Sequence, residues 1–248
     1  MQNFKMLVAY DGKKYMGYNK VKGNPDKSIQ GKLEAILEKA YGVEVEVISA
    51  VSTDAGVHAK EQVVNFNAPD SSYDSEGIFA YIEKYLPDDI IILSVEEADE
   101  RFHSRYLAKS ITYEYRLWKQ EATVRPLFER NYVNYMAQKL NVHTMKEGAK
   151  LIEGEHDFLA FTTNKKTRKS EKKMISINVT ETENEIVITM TANGFLLNME
   201  RIVVGTLVQV GLGQLPLGSI NKAFASQDNR DVGHKASAGA LCLTRVKY

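Results

Sequence analysis

The order of segment types, which is repeated in the two halves of the chain, restricts the possible folds more than any other feature of the sequence. Apolar residues at alternate positions predict strands, and apolar residues three and four apart predict helices. The first half reads strand, helix, strand, strand, helix, strand, at 4–10, 28–42, 43–51, 62–68, 76–86 and 89–98. Ser28 is suited to cap the start of the first helix, and Gly42 to end it.

The second half repeats this order. Its patterns are strand, helix, hairpin of two strands around Asn184, helix and strand, at 110–118, 141–154, 175–183 with 185–192, 195–211 and 238–248. Two β-α-β-β-α-β units predict an α+β protein made of two tandem ferredoxin-like modules, which we place at 1–106 and 107–248. We expect their antiparallel sheets to join around a central cleft. The connector at 119–140 receives no assigned element.

Composition argues against several classes of protein. The single cysteine, Cys242, leaves no intramolecular disulfide, and no Cys/His spacing matches a zinc site. No apolar run approaches the roughly 18 residues of a membrane span, and the N-terminus lacks the apolar core of a signal peptide. We therefore expect a cytoplasmic protein without membrane attachment.

The charges are balanced overall but unevenly distributed. The chain has 32 basic and 32 acidic residues, yet 83–100 is strongly acidic and 165–173 is strongly basic. The basic cluster consists of Lys165, Lys166, Arg168, Lys169, Lys172 and Lys173. A neutral total can hide a positive face that attracts a polyanion. A solvated loop and an RNA contact are both open interpretations of this cluster.

A lone carboxylate on a turn is the main candidate for chemistry. Asp54 lies in STDAGVHA (52–59), between two strand patterns. Such a turn either only connects two strands or holds the acid in position for a substrate. No phosphate loop, metal spacing or nucleophile-base pattern accompanies it. An acid that stays ionised in a closed pocket needs a cation, and Arg201, within the apolar pattern 195–211, is a candidate unless it only extends to the surface.

A series of motifs, in the same order along the chain, resembles the tRNA pseudouridine synthase A family. The matching pieces, from Tyr10 to Tyr248, are YDG (10–12), Gly17 with an aromatic after it, SIQGKLEAIL, STDAGVHA, RFHSRYLAKSITYEY, GEHDFLAFT, NGFLLNMERIVVGTLVQVG and LTRVKY. Each piece is weak alone, whereas the ordered set is specific and covers essentially the whole chain.

The resemblance implies an enzyme that isomerises uridine to pseudouridine without metal or cofactor. The base–ribose C–N bond is cleaved, the base turns, and it is rejoined through carbon. The implied substrate is uridine at positions 38 to 40 of the tRNA anticodon arm, extruded from its stack. The implied assembly is a homodimer in which each tRNA touches both subunits.

The resemblance also implies roles for individual residues. Asp54 is the catalytic carboxylate, Arg201 pairs with it, and Tyr113 packs on the extruded uracil. His58 and Leu241 are further substrate-binding residues. The predicted RNA-binding residues are Lys165, Lys166, Arg168, Lys169, Lys172, Lys173 and Arg105.

The sequence departs from the family pattern at the turn itself. Where the family has Gly-Arg-Thr-Asp, this chain has VSTD (51–54), so Ser52 replaces an arginine that helps to flip the base. Lys20, Lys60 and Arg105 are candidates to supply the missing cation. Further departures are YNK (18–20), Glu200 beside Arg201, and ASAGAL (236–241). Two alternatives follow: a catalytically impaired RNA-binding paralogue, or a pseudouridine synthase acting on rRNA.

Overall fold

A computed structural model of the chain describes residues 2–248. These residues form ten β-strands and five α-helices, which confirms the predicted mixture of the two. None of these helices is long and apolar enough to cross a membrane. Backbone contacts divide the chain into two units. The first holds the residues up to Lys109 together with Leu243–Tyr248, and the second is Ser110–Cys242.

The first unit contains an antiparallel sheet and two helices. Its elements are β1 (Gln2–Tyr10), α1 (Ile29–Tyr41), β2 (Ile48–Ser49), β3 (His58–Ala68), α2 (Ser75–Tyr85) and β4 (Ile90–Ala98). Strand β1 pairs with β4 on one side and β3 on the other, and β2 pairs with β3. Phe4, Met6 and Val8 alternate along β1 into the core, as the period of a half-buried strand requires.

Helix α1 begins and ends where its capping residues predict. The Ser28 hydroxyl accepts a hydrogen bond from the Gly31 N–H at 3.1 Å, which satisfies one of the free donors of the first turn. Gly42 takes the left-handed conformation (φ 72°) and closes the helix. Leu33 and Leu37, four residues apart, are fully buried. The local sequence therefore determines this element.

The predicted strand at 43–51 is wrong over most of its length, since only Ile48–Ser49 pairs as a strand. Val47 is buried, as the alternation predicts. Its backbone, however, bonds to side chains of α1: the Val47 N–H donates to Glu34 Oε1 at 3.0 Å, and its carbonyl accepts from Gln30 Nε2 at 3.3 Å. Side chains of α1 thus take the backbone hydrogen bonds of Val47 that a neighbouring strand was expected to take.

We expect the substitution Glu34→Ala to lower the free energy of unfolding by about 1–3 kcal/mol, because it removes the acceptor of the buried Val47 N–H. The Glu34 carboxylate also binds Gln30 Nε2 at 2.8 Å and Lys20 Nζ at 2.5 Å. Glu34→Gln keeps an acceptor oxygen and should cost less. Urea unfolding of both variants tests this, and equal stabilities of the Ala and Gln variants would contradict it.

The second unit also combines an antiparallel sheet with helices. Its elements are β5 (Ser110–Trp118), β6 (Asn134–Tyr135), α3 (Val142–Ile152), β7 (Gly154–Asp157), β8 (Glu171–Glu181), β9 (Glu185–Ala192), α4 (Met199–Gly211), α5 (Ser219–Ser226) and the start of β10 (Leu241–Lys247). The strand order is β5-β9-β8-β7, with β6 parallel to β5. The predicted hairpin around Asn184 is confirmed, whereas β6, β7 and α5 were not predicted.

The last strand falls partly in each unit. Leu241 and Cys242 are grouped with the second unit, and the residues from Leu243 onward are grouped with the first, where β10 neighbours β3. The predicted halves, 1–106 and 107–248, therefore differ from the observed units mainly at this C-terminal segment.

The predicted helix 195–211 begins four residues later than expected, at Met199. Asn198 adopts a left-handed conformation (φ 62°), and its Nδ2 donates to Thr163 Oγ1 at 2.7 Å. The preceding Leu197 carbonyl accepts from Thr162 Oγ1 at 2.9 Å. Because these threonines hold the chain outside the helix, Arg201 lies in the first turn of α4 and not in its middle.

Candidate functional site

Asp54 lies on a tight turn between β2 and β3 of the first unit. The Val57 N–H donates to the Asp54 carbonyl at 3.1 Å and closes the turn. Gly56 has φ 80°, a conformation that favours glycine. The Asp54 side chain is half-buried. The turn therefore presents a carboxylate that solvent only partly surrounds.

Three hydrogen bonds from separate segments hold the residues before Asp54. The Tyr18 N–H donates to the Thr53 carbonyl at 3.0 Å, and the Tyr10 hydroxyl bonds to Thr53 Oγ1 at 2.8 Å. Gln62 Nε2 donates to the Val51 carbonyl at 2.8 Å. We refer to this arrangement, together with the two glycines described next, as the turn clamp. Such support from neighbouring side chains is what fixes a catalytic group in one geometry.

Two glycines allow backbone segments to approach this turn closely. A Cβ atom on Gly12 would lie 1.9 Å from the Val57 carbonyl oxygen, so no other residue fits there without a shift. Gly17 has φ 113°, and its Cβ would lie 2.9 Å from the Thr53 oxygen. Both glycines belong to the motifs that carry the family resemblance. The structure gives their physical reason, which is close packing against the turn.

His58 is buried directly after the turn, at the start of β3. Its Nδ1 lies 3.1 Å from the Gly12 N–H nitrogen and 3.0 Å from Asp11 Oδ1. An unprotonated Nδ1 accepts from Gly12, whereas a protonated one donates to Asp11. In either state the ring ties the end of the turn to the Asp11–Gly12 corner. The predicted contact of His58 with substrate stays a prediction.

The neighbourhood of Ser52 shows which predicted cations are already engaged. The Ser52 hydroxyl donates to Asn19 Oδ1 at 2.9 Å. Lys20 bonds to Glu34, and this hydrogen bond raises the pKa of the Lys20 ammonium. Arg105 is exposed, and its Nε donates to the Ser49 carbonyl at 3.3 Å, three residues before Ser52. Lys60 is also exposed.

Tyr113 and Leu241 are both buried in the second unit. Tyr113, on β5, is only 1% exposed, and its ring meets Phe195 edge-to-face with centroids 5.2 Å apart. Leu241 begins β10 and is 2% exposed. The ring of Tyr113 is thus covered in this structure. Stacking of uracil on it stays a prediction and would require Phe195 to move.

Arg201 is fixed by the segment that follows α5. Its Nε donates to the Ala236 carbonyl at 2.8 Å, and the Ala236 N–H donates to the Arg201 carbonyl at 3.0 Å. The next residue, Ser237, bonds to the Tyr115 hydroxyl at 2.9 Å. Burial raises the pKa of Tyr115, while the Ser237 bond and the Arg201 charge oppose this rise. Asp54 and Arg201 belong to different units, and their pairing stays a prediction.

The six cations of 165–173 lie on and before the start of β8. Lys172 and Lys173 are on the strand itself, and the other four occupy the preceding exposed loop. Lys173 Nζ bonds to Glu155 at 3.2 Å, and Lys165 Nζ donates to the Leu159 carbonyl at 3.1 Å. The cluster therefore exposes several cations, of which Lys173, on the strand, is partly neutralised. Their contact with RNA stays a prediction.

Sequence reasoning identified the acid but missed its supports. Tyr10 appears in the sequence analysis only within a strand pattern and a family motif, Gly17 only within a family motif, and Gln62 only within a strand pattern. The alternation of β3 does place Gln62 on the buried side, and a buried glutamine needs partners. That signal was present, although it did not indicate which backbone groups would bond. In residues 2–248 no three His, Cys, Asp or Glu side chains are grouped as metal ligands.

Comparison with known proteins identifies the family. A family model described as tRNA pseudouridine synthase matches residues 149–248. A protein of Bacillus cereus (strain ZK / E33L) and one of Bacillus anthracis, both named tRNA pseudouridine synthase A 2, are each 40% identical to the chain, and each alignment covers 100% of both sequences. The tRNA pseudouridine synthase A 1 of Clostridium tetani (strain Massachusetts / E88) is 38% identical with the same coverage. The chain therefore belongs to the tRNA pseudouridine synthase A family, enzymes that isomerise uridine in tRNA.

Proposed function

We propose that this chain converts uridine to pseudouridine at positions 38 to 40 of the tRNA anticodon arm, with Asp54 as the catalytic carboxylate. The turn clamp supports the assignment of Asp54, and the positions in the anticodon arm follow from the family resemblance. Hydrogen bonds to Val51 and Thr53 fix the backbone before the acid, and the close approach of Gly12 to Val57 fixes it afterwards. A turn needed only to connect two strands does not require this support, whereas a catalytic group held in one geometry does.

Arg201 is the proposed ion-pair partner of Asp54. The bond of Arg201 Nε to the Ala236 carbonyl holds the guanidinium in one position. A cation fixed in this way supports Arg201 as a group that can bind a carboxylate. Tyr113, uncovered by movement of Phe195, then stacks on the uracil, with His58 and Leu241 bordering the pocket.

The proposed architecture is two tandem ferredoxin-like modules, 1–106 and 107–248. The order β4-β1-β3-β2 in the first unit supports this, since it is the order expected of a β-α-β-β-α-β module. In the second unit β5, β9 and β8 follow the same order. We further propose a cytoplasmic homodimer in which the cations of 165–173 contact the tRNA backbone.

The test is a map of pseudouridine in total RNA from cells with and without this chain. We expect uridines of the anticodon arm to lose modification in the deletion strain and to regain it with the wild-type gene. Loss of a site in rRNA would contradict the tRNA assignment and retain the chemistry. An unchanged map would contradict the enzymatic activity and favour the RNA-binding paralogue, in which Ser52 stands in place of the arginine that helps to flip the base.

A further inference from the structure

The turn at 103–106 of the first unit displays an aromatic ring to solvent. Tyr106 is 80% exposed, so most of its ring is open to solvent. Its ring stacks on the imidazole of His103, with centroids 4.0 Å apart and planes inclined by 30°. One face of the tyrosine is thus covered by His103, and the ring is supported as a flat platform.

Hydrogen bonds to His103 hold the platform in shape. The backbone N–H groups of Arg105 and Tyr106 both point to His103 Nδ1, at 3.2 and 3.3 Å. The Leu107 N–H donates to the His103 carbonyl at 3.1 Å. An exposed ring on a preformed turn loses little conformational freedom when a ligand binds, which favours affinity.

Ser104 anchors this turn to the sheet. Ser104 is fully buried, its N–H donates to Asn65 Oδ1 at 2.9 Å, and its hydroxyl donates to the Ile48 carbonyl at 2.7 Å. The Tyr248 hydroxyl donates to the Ser104 carbonyl at 2.7 Å. The turn is therefore attached to β2, the strand that leads directly into the Asp54 turn.

A cation lies beside the ring and is only partly engaged. Arg105 Nε donates to the Ser49 carbonyl at 3.3 Å, while its two terminal amino groups make no hydrogen bond or ion pair with residues 2–248. Arg101 and Lys109 are also exposed, and 101–109 contains no acidic residue. The turn therefore combines a flat ring with local positive charge. Proteins use this combination to bind single-stranded RNA.

We propose that His103, Arg105 and Tyr106 form a nucleobase-stacking site for tRNA. An unstacked base lies on the open face of Tyr106, and Arg105 contacts an adjacent phosphate. Because Arg105 is anchored three residues before Ser52, it supplies a cation near the turn where Ser52 offers none. The inference rests on the proposed tRNA substrate and adds to it a contact that leaves the reaction itself unchanged.

The substitution Tyr106→Ala tests the stacking. We expect its affinity for a tRNA transcript to fall about 5- to 150-fold, the effect of losing one aromatic–base stack. Tyr106→Phe keeps the ring and should bind like the wild type. Tyr85→Ala removes another exposed ring of the same unit, on α2, and serves as the control. The thermal midpoint should not change in Tyr106→Ala, because so exposed a side chain contributes little packing.

Salt dependence separates the two parts of the site. Arg105→Ala should reduce the slope of log Kd against log salt by about 1, as expected for one lost phosphate contact, and Arg105→Lys should restore it. Tyr106→Ala should leave the slope unchanged. The proposal is overturned if Tyr106→Ala binds the tRNA transcript with wild-type affinity, whether or not the oligomeric state of the variant changes.

Affinity, measured apart from product, keeps this inference distinct from the proposed reaction. If the chain forms no pseudouridine but loses tRNA affinity on Tyr106→Ala, the stacking site stands and only the reaction is contradicted. If the chain is active and Tyr106→Ala binds and reacts like the wild type, the reaction stands and the stacking site is wrong.

Discussion

Replacing Asp54 by Asn will abolish pseudouridine formation and leave tRNA affinity close to that of the wild type. We expect the rate to fall at least about 10³-fold, within the range for a residue that acts directly on the reacting bonds. The amide keeps the size and shape of the side chain, so the turn clamp, which bonds to Val51 and Thr53, stays intact. Single-turnover assays on a tRNA transcript measure the rate, and filter binding measures the affinity.

A matched control distinguishes loss of catalysis from a general loss of charge. Asp26→Asn removes the same charge from an exposed site in the same unit and should react at the wild-type rate. The thermal midpoints of both variants should stay near that of the wild type. Product formation by Asp54→Asn at an undiminished rate would show that another group performs the chemistry.

Replacing Gly205 by Ala will destabilise the second unit, because the added methyl group meets backbone atoms of a neighbouring segment. The new Cβ would lie 1.6 Å from the His234 carbonyl oxygen, and a Cβ added to Gly233 on the other segment would lie 2.5 Å from the Gly205 backbone. Overpacking of a core costs about 1–3 kcal/mol, and a backbone clash belongs at or above the top of that range. The loss exceeds the gain of about 1 kcal/mol that alanine brings to a helix.

Gly218→Ala is the control for this substitution, because no atom lies within 4 Å of its added Cβ. Urea unfolding should show a lower midpoint for Gly205→Ala and little change for Gly218→Ala. Activity should fall as well, since the segment displaced from Gly205 continues into Ala236, which holds Arg201. Equal stabilities of the two variants would contradict the close contact.

Local signals predicted some elements of the fold, and distant side chains decided the others. Helix α1 was predicted to within one residue at each end, because Ser28 and Gly42 act on their immediate neighbours. The strand expected at 43–51 was lost because Glu34, in another element, bonds to its backbone. The start of α4 moved because Thr163 holds Asn198 outside the helix. Neither hydrogen bond changes the spacing of apolar residues in the affected segment, so the sequence pattern does not reveal it.

The candidate site divides in the same way. Asp54 stands out in the sequence because an acid beside glycine interrupts two strand patterns. Its supports do not, since Tyr10, Tyr18 and Gln62 come from three segments that only the folded chain assembles. The departure at Ser52 was visible from the family pattern. The position of Arg105 beside it required the bond to Ser49, which no sequence pattern indicates.

The turn clamp has a consequence for how such an enzyme changes over time. It holds the backbone through Val51, Thr53 and Val57, and the side chain at position 52 takes no part in it. Residue 52 can therefore be exchanged without moving the acid. Substitutions at this position can change the contacts with RNA one at a time, while the Asp54 carboxylate keeps its position. In this scaffold the choice of RNA and the capacity for chemistry are free to diverge at separate rates.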